Sequence, residues 1–133
     1  MAINETDTPN AFSPLAAQQF VLLKTFRKNG TAVPTQVWFA LDHGNIYLTT
    51  MRSTGKVKRI RNNGRVTLTP CDRRGNVVGD GTEYAGMARE LPASEYPRAQ
   101  AALSRKYGLM YKVFMLAGNL RKSERVYIEI VPA

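Results

Sequence analysis

The chain has 133 residues, 44% of them hydrophobic, and a formal net charge of +9. This length predicts one domain with its own core, and the charge favours an anionic partner such as nucleic acid, an acidic membrane or a phosphorylated or polycarboxylate small molecule. A single cysteine, Cys71, excludes an intrachain disulfide and is expected in the core, and a single histidine excludes a catalytic triad or a multi-histidine metal site. No apolar run could span a membrane and no signal-peptide pattern begins the chain, so we expect a cytoplasmic protein.

The N-terminal segment, residues 1–12, is polar and lacks periodicity, which predicts a flexible lead-in before a single domain over residues 13–133. Ser13 and Pro14 form a helix N-cap followed by proline at the first helical position. They predict a short helix that continues to about Val21.

Turn signals divide the region that follows into strands. Asn29-Gly30 predicts a β-hairpin, because both central residues of a two-residue turn need positive φ. Residues 42–45 predict a second hairpin, with His43 exposed in its turn. The turn-rich segment 72–81 separates two further strands, and the alternating sequence ERVYIEIVP predicts the last one.

Helices are predicted between these strands. Val57 and Ile60, at helical spacing, place one over residues 56–63. Ser94 is the predicted N-cap of a second helix, which ends at Gly108. The segment LMYKVFMLAG predicts a further short helix. The apolar stripe of the second helix comprises Tyr96, Ala99, Ala102 and Leu103.

Antiparallel strands joined by tight turns, with short helices inserted, favour a small closed or half-closed β-barrel. An open sheet of this size would leave its edge strands exposed. We therefore expect a mainly β protein.

The segment TTMRSTGKVKRIRNNGRVTLT, residues 49–69, carries six cations and no carboxylate. It begins on a strand, passes through hydroxyl-bearing residues and enters the predicted helix at Gly55-Lys56. The free N–H groups and partial positive charge of a helix N-terminus suit a phosphate, and Ser53 and Thr54 add hydroxyl donors. The cations are Arg52, Lys56, Lys58, Arg59, Arg61 and Arg65.

The cations of the predicted helix differ in orientation. Lys56 and Arg59 share a flank and could face a site, whereas Lys58 and Arg61 point to the far side and are expected in solvent. A basic surface helix that only increases solubility would give the same pattern, so the residues alone leave both interpretations open.

Other chemistries have less support. A nucleic-acid-binding barrel would interleave aromatic residues with basic ones, and residues 49–69 contain no aromatic residue. Asp72, Asp80 and Glu83 are close in sequence but fall in a turn-rich segment, so paired-carboxylate catalysis is not predicted. No metal-ligand motif is present, and neither a catalytic residue nor a metal site is predicted.

Three blocks of the sequence stand out together: TFRKNGTAVPTQVWFALDHGNIYLTT, then STGKVKRIRNNGRVTL, then GTEYAGMARE with a helix that begins SEYPRAQAAL. They resemble the pyridoxamine 5'-phosphate oxidase-like superfamily of flavin-binding split barrels. Within it, the chain is similar to the branch of small flavin/deazaflavin oxidoreductases that use coenzyme F420. The middle block is the most specific, because its hydroxyl residues, lysine, short helix and Arg-Val strand keep their spacing.

The resemblance implies a split barrel of six to seven antiparallel strands, and a homodimer with the cofactor in a groove between subunits. It implies F420, or alternatively FMN, as the cofactor. The deazaflavin's lactyl-oligoglutamate tail would account for the high positive charge. The ring system would lie beside the strand after the first hairpin turn, at Pro34, Thr35, Gln36 and Val37. The phosphate would be held by Thr49, Thr50, Arg52, Ser53, Thr54 and Lys56, with Arg59 as a further contact.

Two departures from the superfamily pattern narrow the activity. Members that oxidise pyridoxamine phosphate resemble one another in a C-terminal strand that carries a Trp and an Arg, and RVYIEIVP has neither in place. Pyridoxal phosphate synthesis is therefore not expected. The FMN-binding members often carry Arg-Lys where this chain has Gly55-Lys56, which favours the deazaflavin.

The resemblance thus implies a reductase that transfers a hydride between reduced F420 and an unsaturated or conjugated organic substrate. The cofactor carries this chemistry, so no side chain need be a dedicated acid or base. An FMN-dependent oxidoreductase of the same fold and a non-catalytic cofactor carrier are the alternatives. The expected partners are a second copy of the chain and a small molecule, with no nucleic acid and no membrane.

Overall fold

The computed structural model describes residues 11–112 and 124–133, and its strands form one seven-stranded sheet. In chain order the strands are β1 Phe20–Phe26, β2 Ala32–Trp38, β3 Ala40–Asp42, β4 Asn45–Met51, β5 Arg65–Cys71, β6 Tyr84–Glu90 and β7 Arg125–Pro132. Helix α1 spans Gly55–Asn62, α2 spans Tyr96–Tyr107, and short 3-10 turns span Ser13–Leu15 and Ala93–Glu95. Within these residues, no helix is long and apolar enough to cross a bilayer.

The strand order, β2-β1-β5-β6-β7-β4-β3, explains how the sheet curls into a half-barrel. Every neighbouring pair is antiparallel. The two outermost strands, β2 and β3, are joined by Phe39 alone, so the ends of the sheet must meet. No ladder joins β2 to β3 or β4 in the described part of the chain, which leaves a split along that side. The predicted mainly β split barrel of six to seven antiparallel strands is confirmed, and it has seven strands in the described residues.

Strand alternation sorts the side chains into two apolar clusters. In β4, Ile46 and Leu48 point into the barrel, while Tyr47 between them points outwards under α2. The barrel cluster contains Phe12, Leu15, Val21, Leu23, Val37, Phe39, Ile46, Leu48, Val57, Ile60, Val66, Leu68, Ala88, Val126, Ile128 and Ile130. The outer cluster contains Ala40, Tyr47, Leu91, Ala99, Ala102, Leu103, Tyr107, Tyr111 and Tyr127. Cys71 is buried, as predicted.

The predicted second helix is confirmed as α2, and its apolar stripe packs on the outer cluster. Its start was predicted wrongly. Glu95 is at the N-cap position without a side-chain capping bond, and Ser94 lies in the preceding 3-10 turn. Gly108, with φ of 55°, ends the helix as expected. Most of the further helix predicted over LMYKVFMLAG lies outside the described residues.

Both predicted hairpins are present, but the two-residue turn is in the second. In the first, Phe26 pairs with Ala32 across a five-residue loop. Gly30 has φ of 88° there, whereas Asn29 is not in the positive-φ region. In the second, φ is 50° at His43 and 81° at Gly44. The prediction of positive φ at both Asn29 and Gly30 was therefore wrong.

The predicted helix from Ser13 to about Val21 was also wrong. Only a 3-10 turn forms at Ser13–Leu15, and β1 begins at Phe20. Phe20 and Val21 instead pair with both β2 and β5, and this ladder with the burial it allows outweighs a local capping signal. The predicted lead-in lies mostly outside the described residues, and Phe12 at its end is fully buried in the barrel.

Candidate cofactor-binding site

The split between β2 and β4 brings the two predicted halves of the site onto facing strands. The β3–β4 ladder ends at Ala40 opposite Tyr47. Continued past Phe39, that register would set residues 37–38 beside residues 49–50, and β2 does contact β4, although no ladder forms. The strand predicted beside the ring and the strand end predicted near the phosphate thus border one split.

The two inward cations of α1 tie this helix to β4, at one edge of the split, and to β1, the neighbour of β2 at the other edge. The Lys56 Nζ donates to Thr50 Oγ1 of β4 at 3.0 Å. The Arg59 Nε donates to Thr25 Oγ1 of β1 at 2.6 Å, and Thr25 pairs with Val33 of β2. The predicted common flank of Lys56 and Arg59 therefore faces the end of the split.

The charge at this end of the split is positive and unbalanced. In residues 11–112 and 124–133, no carboxylate lies within 4.0 Å of Lys56 or Arg59. Burial lowers the pKa of Lys56, and the charge of Arg59 lowers it further. A protein that holds two partly buried cations together, without a counter-charge, has a local environment that an anion would stabilise.

The start of α1 adds to this positive charge. A Cβ on Gly55 would lie 2.7 Å from Arg59 Nη1, so the absence of a side chain lets the guanidinium lie over the first residue of the helix. Helix N-termini carry about half a positive charge and several unpaired N–H groups. The arrangement can therefore bind a phosphate or a carboxylate.

A second group of cations in the same segment is neutralised within the fold. Arg61 Nε lies 2.7 Å from Glu90 Oε1, and Arg52 Nη1 lies 3.7 Å from Glu90 Oε2. The Arg61 hydrogen bond is the main cause that lowers the pKa of Glu90. Lys58 is exposed, as predicted. Arg52, predicted in the phosphate group, thus lies beside a carboxylate that Lys56 and Arg59 lack.

The remaining hydroxyl residues predicted near the phosphate are partly used by the fold. Thr49 Oγ1 donates to the Val126 carbonyl at 2.9 Å, and Thr54 Oγ1 donates to the Met51 carbonyl at 2.9 Å. Ser53 is exposed in the turn before α1.

The predicted ring-side residues of β2 divide between its two faces. Val37 is in the barrel cluster, and Thr35 shares its face by alternation. Pro34 and Gln36 lie on the other face, where the Gln36 amide donates to the carbonyls of Asp72 and Arg73 in the β5–β6 loop. Gln36 therefore supports a loop.

Two contacts at the site were missed by the sequence reasoning. Thr25 follows Val21 and Leu23 in the inward phase of β1, and a hydroxyl at an inward position was a signal for a polar partner. Glu90 gave no local signal, because its pairing with Arg61 joins β6 to α1, 29 residues apart.

Comparison with known proteins agrees with this fold. The family model described as Pyridoxamine 5'-phosphate oxidase matches residues 8–133. A search of curated proteins found no match. Among solved structures, an F420 reductase has a TM-score of 0.60 at 22% identity, covering 95% of this chain and 96% of its own.

Two further solved structures differ in what their descriptions say they bind. A FAD-binding protein from Mesorhizobium loti has a TM-score of 0.66 at 18% identity, covering 90% of this chain and 84% of its own. The heme storage protein HutZ from Vibrio cholerae has a TM-score of 0.67 at 9% identity, covering 88% and 83%. At these identities the structures share the fold, while the family match spans nearly the whole sequence. The chain therefore belongs to the pyridoxamine 5'-phosphate oxidase family.

Proposed function

We propose that this protein binds coenzyme F420 in the split beside α1 and acts as a reductase that transfers a hydride between the reduced deazaflavin and an unsaturated or conjugated organic substrate. The observation that carries the proposal is the pair Lys56 and Arg59, two partly buried cations at a helix N-terminus with no carboxylate within 4.0 Å among the described residues. A phosphate would balance this charge.

In this proposal each residue has a binding or orienting role. Lys56 and Arg59 bind the phosphate, and the hydroxyls of Thr50 and Thr25 hold their side chains in place. Thr35 and the backbone of β2 line the ring. The bound deazaflavin would supply the hydride chemistry, so the protein contributes orientation, charge and exclusion of water.

The other expected site residues have lesser roles in the proposal. Thr49, Ser53 and Thr54 add hydroxyl contacts beside the phosphate. Arg52 would meet a polyanionic tail, for which it would exchange its contact with Glu90.

A second copy of the chain is part of the proposal, because the resemblance implies a groove shared by two subunits. Localisation in the cytoplasm, expected from the sequence, likewise stays a prediction.

Two alternatives use the same cations. FMN would place a phosphate in the same position, but Gly55 stands where FMN-binding relatives often carry an arginine. A non-catalytic carrier is favoured by one observation, namely that a heme storage protein shares the fold, so the fold by itself does not imply turnover.

Titration and turnover separate these functions. Purified protein is titrated with F420 and with FMN, and the reduced deazaflavin is then followed spectroscopically with a panel of quinones, enones and tetrapyrroles. Tighter binding of F420 with oxidation by one panel member supports the reductase. Tighter binding of FMN supports the flavin alternative, and F420 binding without any turnover supports the carrier.

A further inference from the structure

Phe39, the single residue between β2 and β3, creates a hydrogen-bonding problem at the closed end of the split. It is fully buried, yet its two strands lie at opposite ends of the sheet order, so neither ladder includes it. A buried backbone N–H and C=O must find partners elsewhere, because leaving them unpaired is costly.

The hydroxyl of Tyr107, in the last turn of α2, supplies both partners. It accepts a hydrogen bond from the Phe39 N–H at 3.1 Å and lies 2.7 Å from the Phe39 carbonyl. The Gln19 carbonyl, just before β1, lies 2.9 Å from the same hydroxyl. One phenol donates to only one carbonyl at a time, so the hydroxyl is shared between the junction and the start of β1.

Two further contacts pack at the junction, one between Trp38 of β2 and Tyr107, and one between Lys106 of α2 and Phe39. The indole of Trp38 stacks on the Tyr107 ring with centroids 5.1 Å apart. The Lys106 ammonium lies 3.7 Å from the centroid of the Phe39 ring and donates to the Gln18 carbonyl. Because Phe39 joins β2 to β3, and β3 pairs with β4, the geometry of this junction bears on the spacing of β2 and β4 along the split.

We propose that Tyr107 is a positioning residue for the cofactor groove: by holding both backbone groups of Phe39, it fixes the distance between the ring-side strand and the phosphate-side strand. This role rests on the proposed function for its effect on cofactor binding. The junction clamp itself, meaning the contacts of Tyr107 with Phe39, does not depend on which cofactor binds.

The test compares Tyr107→Phe with Tyr111→Phe. Each variant removes a buried phenol hydroxyl, and the two positions are four residues apart. Among the described residues, the Tyr111 hydroxyl has its hydrogen bond with that of Tyr127, at 3.0 Å, and none with the junction. In Tyr107→Phe we expect amide exchange of residues 35–41 to accelerate about tenfold and the F420 dissociation constant to rise about tenfold, the scale of one lost buried hydrogen bond. In Tyr111→Phe both should change less than about twofold.

Inorganic phosphate distinguishes positioning from general damage. A ligand that spans both strands depends on their spacing, whereas phosphate alone needs only the α1 end. In Tyr107→Phe, phosphate binding, followed through the amide signal of Lys56, should stay at the wild-type value. Lys106→Met, which retains the hydroxyl, should give a smaller exchange effect in the same segment. If Tyr107→Phe does not fold, the Phe39 amide of the wild type decides: it should exchange slowly because the Tyr107 hydroxyl accepts its hydrogen bond, and fast exchange overturns the clamp.

The outcomes are separable. Unchanged exchange of residues 35–41 in Tyr107→Phe overturns the clamp, whatever binds. Faster exchange with unchanged F420 affinity, or an equal loss of affinity in Tyr111→Phe, overturns the positioning role. If the wild type binds no F420, the proposed function fails while the exchange data still decide the clamp.

Discussion

Replacing Lys56 with methionine should weaken F420 binding strongly and leave the stability of the free protein nearly unchanged. Methionine keeps the unbranched stem and removes the charge. In the free protein, that charge is disfavoured by burial and by Arg59, the two causes that lower the pKa of Lys56. Removing it therefore relieves an unfavourable interaction, at the loss of one hydrogen bond to Thr50.

The expected magnitudes follow from these contacts. A charge-assisted hydrogen bond to phosphate contributes about 1.5–3 kcal/mol, so the F420 dissociation constant should rise about 10- to 150-fold. The lost bond to Thr50 and the relieved charge offset each other, so the unfolding free energy of the free variant should stay within about 1 kcal/mol of wild type.

The assay is a fluorescence titration with F420 beside urea unfolding of the free protein. Lys58→Met is the matched control, because Lys58 is exposed on the far side of the same helix. Its dissociation constant should change less than about threefold at physiological salt. Equal affinity of Lys56→Met and wild type would refute the phosphate assignment, and a large loss of stability would refute the electrostatic reasoning.

Three further predictions concern the surroundings of the site. Thr25→Val removes the hydroxyl that accepts a hydrogen bond from Arg59 Nε. F420 affinity should therefore fall several-fold, and the unfolding free energy should fall by about 1–2 kcal/mol. Calorimetry that shows neither change would contradict this contact. Gly55→Ala should displace the Arg59 guanidinium and so weaken F420 binding. The better helix propensity of alanine should keep or raise the melting temperature. Unchanged F420 affinity would count against the placement of Arg59 over α1. Burial lowers the pKa of Lys106 to about 8 from 10.5, so between these values the unfolded chain binds a proton that the folded chain has released, and stability from this group rises with pH. In urea titrations, the unfolding free energy of wild type should therefore rise relative to that of Lys106→Met between pH 7.5 and 9.5. A difference that stays constant over this range would contradict the lowered pKa of Lys106.

The parts of the fold that depend on local chemistry could be predicted from the sequence. His43-Gly44 forms a hairpin turn, and Val57 and Ile60 define the buried face of α1, because both signals act within a few residues. The Ser13-Pro14 signal failed because β1 gains two ladder partners from distant strands. A local cap cannot outweigh that pairing.

The geometry of the candidate site was predictable to a similar extent. The common flank of Lys56 and Arg59 follows from helical spacing, and the structure ties Lys56 to β4 and Arg59 to β1, the neighbour of β2. The orientation of Gln36 and the pairing of Glu90 could not be predicted, because each depends on a segment about 30 residues or more away that only the folded sheet brings close. Long-range contacts of this kind leave no local pattern.

A crystal structure of the F420 complex would show directly whether α1 holds the cofactor phosphate. We expect the phosphate within hydrogen-bonding distance of Lys56 Nζ and the Arg59 guanidinium at the start of α1, with the ring along β2. A phosphate bound instead at Arg73 and Arg74, which are exposed in the β5–β6 loop, with no ligand at Lys56 and Arg59, would contradict this placement of the phosphate.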